Sequence, residues 1–306
     1  MKVACIGALH IDARAWVLGE AHPATSNAAR VVRTPAGPAS IVARNLGRLG
    51  LPVTVFSIVG DDAEGRILLG ELHAAAVDTS GVVRSPGAPS ASYLALFDRD
   101  DRLIMAAADV SVYEGLDLAW ADRVGRLLGG FDAWVVDANV PGPSLARLMR
   151  YAGEALVVGD PVSVSRAPRL AGALPRLDVV FPNRAEALVL AGLPAGGEAS
   201  VLAAAAAIRR RGAGAVVVSL GSRGAYLDEA AGTRQLPAHP TRVVVDVTGA
   251  GEAQIAGYLY GLSRPDGDRH PLEWGMAAAS LAVETIDSVR ADLTPALLAD
   301  RLEERR

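Results

Sequence analysis

Val243-Val244-Val245-Asp246-Val247-Thr248-Gly249-Ala250-Gly251-Glu252-Ala253 reads as a β-branched strand entering a glycine turn, and Gln254 to Leu262 continues it as a helix with Gly257 and Gly261 on one face. Glycines let backbone N–H groups point at a ligand without a Cβ in the way, and a helix N-terminus adds partial positive charge. The turn can therefore cradle an anion. A tight turn with glycines used only for packing is the competing reading. The Asp-x-Thr-Gly-Ala-Gly setting weighs against it.

Upstream, short apolar runs read as strands buried on both faces: Val3 to Ile6, Val53 to Val59, Ala133 to Val136, Ala155 to Val158, Val179 to Phe181 and Ala215 to Leu220. Helical stretches separate them, among them Ala39 to Leu49, Gly65 to Ala75, Ser144 to Ala152, Ala185 to Ala191 and Val201 to Arg211. This alternation predicts an α/β fold, a doubly wound, mostly parallel sheet flanked by helices with ligands beyond the strands' carboxyl ends. Two β-rich excursions interrupt it, at about residues 13–33 and 90–109, and together they predict a small lid sheet. Leu193 to Ala199 is short enough to be a loop, so the 306 residues read as one domain.

A formal net charge of -4 argues against a nucleic-acid partner, since no excess of Lys and Arg is present to neutralise phosphates. Cys5 is the only cysteine, which excludes an internal disulfide and a thiolate metal cluster and points to a reducing cytoplasm. No run of about 18 apolar residues suggests a membrane span. The apolar start is read as a first strand.

Three more motifs accompany the glycine turn. Pro182-Asn183-Arg184-Ala185-Glu186 follows a strand and opens a helix, as an N-cap with a capping box would. Ser219-Leu220-Gly221-Ser222-Arg223-Gly224 ends another strand, and Gly7-Ala8-Leu9-His10-Ile11-Asp12 leaves the first strand with an acid beyond its carboxyl end. In this order the motifs resemble those of the ribokinase-like carbohydrate kinases, and the resemblance spans essentially the whole chain.

That resemblance implies ATP-dependent phosphoryl transfer to an alcohol. The catalytic base falls at Glu252, where the family has Asp, and Gly249, Ala250 and Gly251 frame the anion site. It assigns Asn183, Ser219, Gly221, Gly224 and Thr248 to ATP, Glu186 to Mg²⁺ through water, and Asp12 and Gly37 to the substrate. A monovalent cation is a further cofactor it allows. Ala36 and Ile41 depart from the family's Gly-Gly turn and sugar-contacting Asn.

Within the family the chain looks closest to the pseudouridine kinases, on Thr25-Ser26-Asn27, Gly60 to Gly65, Ala107 to Ser111, Asp137-Ala138-Asn139 and Gly159 to Ser163. This implies transfer to the 5′-hydroxyl of pseudouridine, with Asn27 and Asn139 as nucleoside contacts. The alternatives are another sugar or nucleoside kinase, for ribose, adenosine or inosine, or an impaired nucleoside-binding protein in which Glu252 has lost the base's position. The lid hairpin offers a homodimer surface.

Overall fold

The β-branched runs become strands because a sheet covered on both faces buries every side chain they carry. The computed structural model describes residues 1–194, 198–264 and 269–304, so the Leu193 to Ala199 loop lies partly outside the described residues. The chain opens with β1 (Val3–Ile6) and passes into β2 (His10–Val17) and β3 (Ala29–Ala36). There follow α1 (Pro38–Arg48), β4 (Val53–Gly60), α2 (Ala63–Ala74), β5 (Asp78–Ser85) and the hairpin β6 (Ala91–Phe97) and β7 (Leu103–Asp109). The second half runs α3 (Leu118–Gly125), β8 (Ala133–Asp137), α4 (Gly142–Leu148), β9 (Leu156–Asp160), β10 (Val179–Val180), α5 (Arg184–Ala191) and α6 (Glu198–Arg210). It finishes with β11 (Val216–Ser219), β12 (Ala225–Glu229), β13 (Gly232–Leu236) and helices α7 (Ala250–Leu262), α8 (Pro271–Ala282) and α9 (Pro295–Glu303).

The main sheet has the order β13-β12-β11-β10-β9-β8-β1-β4-β5, parallel except for the edge hairpin β12–β13. The chain winds outward in both directions from β1, so the switch point lies between β1 and β8. One apolar cluster, with Val42, Leu46, Val55 and Leu259, fills one face; another, with Trp120, Trp134, Leu145 and Ile208, fills the other. Gly257 and Gly261 sit where α7 meets α8. A Cβ on Gly257 would stand 2.5 Å from the Trp274 carbonyl, so the two helices touch backbone to backbone.

The lid is a second sheet, β3-β2-β6-β7. Its first arm is longer than residues 13–33, because β2 starts at His10 and β3 runs to Ala36. Asp12 therefore lies within the lid strand rather than at the end of the first strand. On β2, Ile11, Ala13, Ala15 and Val17 are buried while His10, Asp12, Arg14 and Trp16 face the other way, the period-2 pattern of a half-covered strand.

The expected strand at 243–247 does not form. Val243, Val244, Val245 and Val247 are each more than half exposed. Val245 donates to the Val283 carbonyl (2.8 Å) at the end of α8 instead of to a neighbouring strand. β-Propensity is a preference for a pleated, half-buried surface, and this segment is offered none.

Candidate active site

The floor of the cleft is built where β1 and β8 part. Asp137, last residue of β8, accepts from the Ala8 (2.7 Å), Asn139 (2.8 Å) and Ala39 (3.3 Å) amides. It thus ties the exit of β1 to the start of α1 and to the Gly37 turn, whose own backbone lies against the Ala8 carbonyl. The approach at Gly7 is so close that a Cβ there would fall 2.0 Å from Asp137 Oδ2. Burial pushes the Asp137 carboxyl up, and the amides it binds partly offset this. Asp137→Asn would turn an NH₂ group toward at least one amide donor, that of Asn139 if the oxygen stays on Ala8 and Ala39. Denaturant unfolding is expected to show a loss of about 2–3 kcal/mol.

Next along the sheet, β9 ends at Asp160, buried, with Oδ1 accepting from Val162 N (2.9 Å). Val162 adopts φ +67, a strained conformation for a β-branched residue. Then β10 and β11 bring Asn183 and Ser219 side by side in a parallel bridge, with Ser219 N donating to the Pro182 carbonyl (2.9 Å). Two of the sequence motifs therefore meet at one edge.

Within them the individual residues differ. Asn183 caps α5 and Glu186 closes the capping box, accepting from Asn183 N (2.9 Å) and Nδ2 (2.6 Å), so this carboxylate is held on the helix it starts. Gly221 has open space where a Cβ would stand, whereas one on Gly224 would be 1.9 Å from the Leu236 carbonyl, so Gly224 serves packing against β13. Thr248 gives its hydroxyl and its N–H to Asp246 Oδ1 (2.8 and 2.9 Å). Its side chain shapes the turn.

Gly249 caps α7 in the left-handed region, and Glu252 stands half-buried in the first turn of that helix. The Ala250 N–H makes a long bond back to the Val247 carbonyl (3.3 Å), while the side of Gly251 is open space. Burial raises the Glu252 carboxyl, the nearby charges of Glu186 and Asp137 add to this, and its own backbone amide and His10 oppose it. Asp160 is raised well above the usual range by burial and by the charges of Glu252, Asp137 and Glu186. Asp137, Glu186 and Glu252 thus all lie near enough to Asp160 for their charges to act on it.

A base must be ionised to act. With Glu252 as the base that the family resemblance implies, the acid limb of kcat/KM is expected above the pH near 4.3 at which an exposed glutamate ionises, and a pH–rate profile reads it directly.

Opposite this floor the lid face carries Asp12, whose Oδ1 lies 3.1 Å from His10 Nε2. One of the two oxygens expected to be free for substrate hydroxyls thus has a neighbour already. A cavity of about 640 Å³ joins the lid to the glycine turn, lined by Asp12, Arg14, Trp16, Tyr93, Asp246 and Thr248. Asn27 is spent elsewhere: its amide accepts from His22 N and donates to the His22 (2.9 Å) and Thr25 (3.1 Å) carbonyls, closing its own loop. Asn139 is buried beside Asp137, and its Nδ2 makes no hydrogen bond among the described residues.

Asp137, Asp160 and His10 lie inside segments quoted above but carry no role there, and Arg14 lies in none of the motifs. Acids ending consecutive parallel strands, Asp137 on β8 and Asp160 on β9, were the available signal.

Among the described residues no three His, Cys, Asp or Glu side chains are grouped to cage a metal ion, and no helix is long and apolar enough to cross a membrane. Residues 1–293 match the pfkB family of carbohydrate kinases. The chain is similar to the pseudouridine kinase of Escherichia coli K12, 29% identical over 255 residues, 83% of this chain and 82% of that one. It superposes on a carbohydrate kinase from Agrobacterium tumefaciens with a TM-score of 0.85 at 28% identity, covering 99% of this chain and 97% of that one. A ribokinase from Arabidopsis thaliana superposes with a TM-score of 0.87 at 18% identity, covering 99% and 98%, a likeness of fold.

Proposed function

The chain belongs to the pfkB family of carbohydrate kinases, phosphotransferases with an alcohol acceptor, and from that premise we propose that it moves the γ-phosphoryl group of ATP to the 5′-hydroxyl of pseudouridine. The observation that carries this reading is the placement of Glu252. It stands in the first turn of α7, directly after the Gly249–Gly251 turn and among Asp137, Asp160 and Glu186, at the carboxyl edge of the sheet. The similarity to a pseudouridine kinase supports the choice of acceptor.

In the proposed reaction Glu252 takes the proton from the attacking hydroxyl. The open side of Gly251 and the start of α7 receive the transferred group as its charge develops. Asp12 orients ribose hydroxyls, with His10 beside it, and Gly37 brings backbone close to the sugar. Asn139, whose Nδ2 makes no well-formed hydrogen bond among the described residues, is the polar contact to the nucleoside; Asn27 is left out because its amide is consumed by its own loop. Ser219, Gly221 and Asn183 border the ATP site.

Mg²⁺ fits this pocket as an ion that comes with the nucleotide. Burial and neighbouring acids penalise the ionised forms of Asp160 and Glu252, a penalty that a divalent cation beside them would relieve, and Mg²⁺ keeps much of its water, so it needs no all-protein cage. Glu186 is the carboxylate that would hold it, through water, and the ion would neutralise charge on the phosphates.

Purified protein with Mg–ATP should form ADP fastest with pseudouridine, more slowly with uridine, inosine, adenosine or ribose. A higher kcat/KM for any of these would move the assignment to that compound. Dimerisation through the lid belongs to the same reading. The edge strand β7 exposes Leu103, Ile104 and Met105, and Leu94 of β6 is exposed beside them. Sedimentation as a monomer at high concentration would contradict it. The buried lone Cys5 accords with a reducing cytosol.

A further inference from the structure

We infer that Arg14, on the lid, is a positioning residue for phosphoryl transfer, holding the glycine turn in shape through Asp246. The inference rests on the kinase reading above.

The two residues are 232 positions apart in sequence, yet Arg14 Nη1 donates to Asp246 Oδ2. Their side chains are only 13% and 17% exposed, so this pair is shielded from the solvent and salt that weaken surface pairs. The two oxygens of Asp246 divide the work. Oδ1 takes the Thr248 N–H and hydroxyl and so bends the chain into Gly249, and Oδ2 is held from the lid. Against the opposing effect of burial, the Arg14 hydrogen bond and charge act with the two Thr248 bonds to keep the Asp246 carboxyl below its ordinary range.

Among the described residues little else fixes the segment 243–247. Its valines are exposed, it belongs to neither sheet, and its backbone ties are to Val283 and, from Arg242 N, to Glu284 Oε1 (2.8 Å). Arg14 is also two residues from Asp12 on the same face of β2. The strand that orients the acceptor therefore also grips the turn that receives the phosphoryl group. Closing the lid and ordering the anion site become one event.

A group that shapes the turn without touching the acceptor should change turnover rather than acceptor affinity. Arg14→Met is expected to lower kcat by about tenfold to a hundredfold with acceptor KM within about threefold, since loosening a positioned group by about 1 Å costs on that order. Arg14→Lys, which keeps the charge but not the fork, is expected to restore most of it. A raised KM with unchanged kcat would make Arg14 a substrate contact instead, and unchanged kinetics would leave it no role; either overturns the inference.

Hydrogen exchange of the ligand-free protein supplies a readout independent of activity. Amides 248–252 should exchange faster in Arg14→Met than in wild type, while those of β1 and β8 stay the same. Equal protection at 248–252 would sink the inference even if the kinase reading stands. Faster exchange there in a protein that phosphorylates nothing would preserve the clamp and remove the kinase reading.

Discussion

Glu252→Gln is expected to cut kcat/KM for the acceptor by about 10²–10⁴-fold, the range a positioned general base supplies. The substitution keeps the size and shape of the side chain and removes only its ability to take a proton. Because burial and the charges of Glu186 and Asp137 penalise the ionised form, the neutral amide should not weaken the fold near pH 7. Thermal unfolding within a degree or two of wild type, with ATP binding retained, would separate lost chemistry from lost structure. Glu252→Asp withdraws the carboxylate by one methylene and is expected to run slower than wild type, since displacing a base by about 1 Å costs on the order of a hundredfold. Faster turnover by Glu252→Asp would identify the native chain as an impaired, nucleoside-binding relative of the active enzymes.

Gly249→Val is expected to damage both stability and rate. Gly249 has φ +83, a conformation costing a β-branched residue about 1–3 kcal/mol. A Cβ there would also stand 2.4 Å from the Ser288 carbonyl, which belongs to backbone and cannot swing away. The turn must shift, and Gly251 and Glu252, the proposed anion site and base, follow it directly in sequence. A shift of about 1 Å implies roughly a hundredfold loss in kcat. Denaturant midpoints and steady-state kinetics of the variant read the two effects separately. Wild-type values for both would mean that the turn tolerates a side chain and does not set the geometry.

The alternation of buried runs and helices was legible in the sequence because each run carries its own burial signature. β4, from Val53 to Gly60, is buried at every position and could be read as it stands. The segment 243–247 shows the opposite case. Its valines have strand propensity, but whether a neighbour is there to pair with is decided by the rest of the fold, and none is supplied among the described residues. Motif order located the edge where Asn183 and Ser219 meet and the turn that carries Glu252.

What motif reading could not reveal is how a side chain divides its bonds. Asn27 and Thr248 have the right polar atoms, yet the structure spends them on an adjacent loop and an adjacent turn. Conversely Arg14 resembles any charged residue on a lid strand until Asp246 is seen against it. Long-range pairs of this kind leave no spacing in the sequence.

In the proposed reaction the acceptor hydroxyl comes within proton-transfer reach of Glu252, in the first turn of α7. The most direct measurement is a crystal structure of the protein with pseudouridine and a non-hydrolysable ATP analogue. The expected result is a ribose 5′-oxygen within about 2.6–3.2 Å of a Glu252 carboxylate oxygen, in line with the γ-phosphorus. A nucleoside bound with its 5′-oxygen well beyond that reach, or with the carboxylate turned out of the cleft, would contradict it.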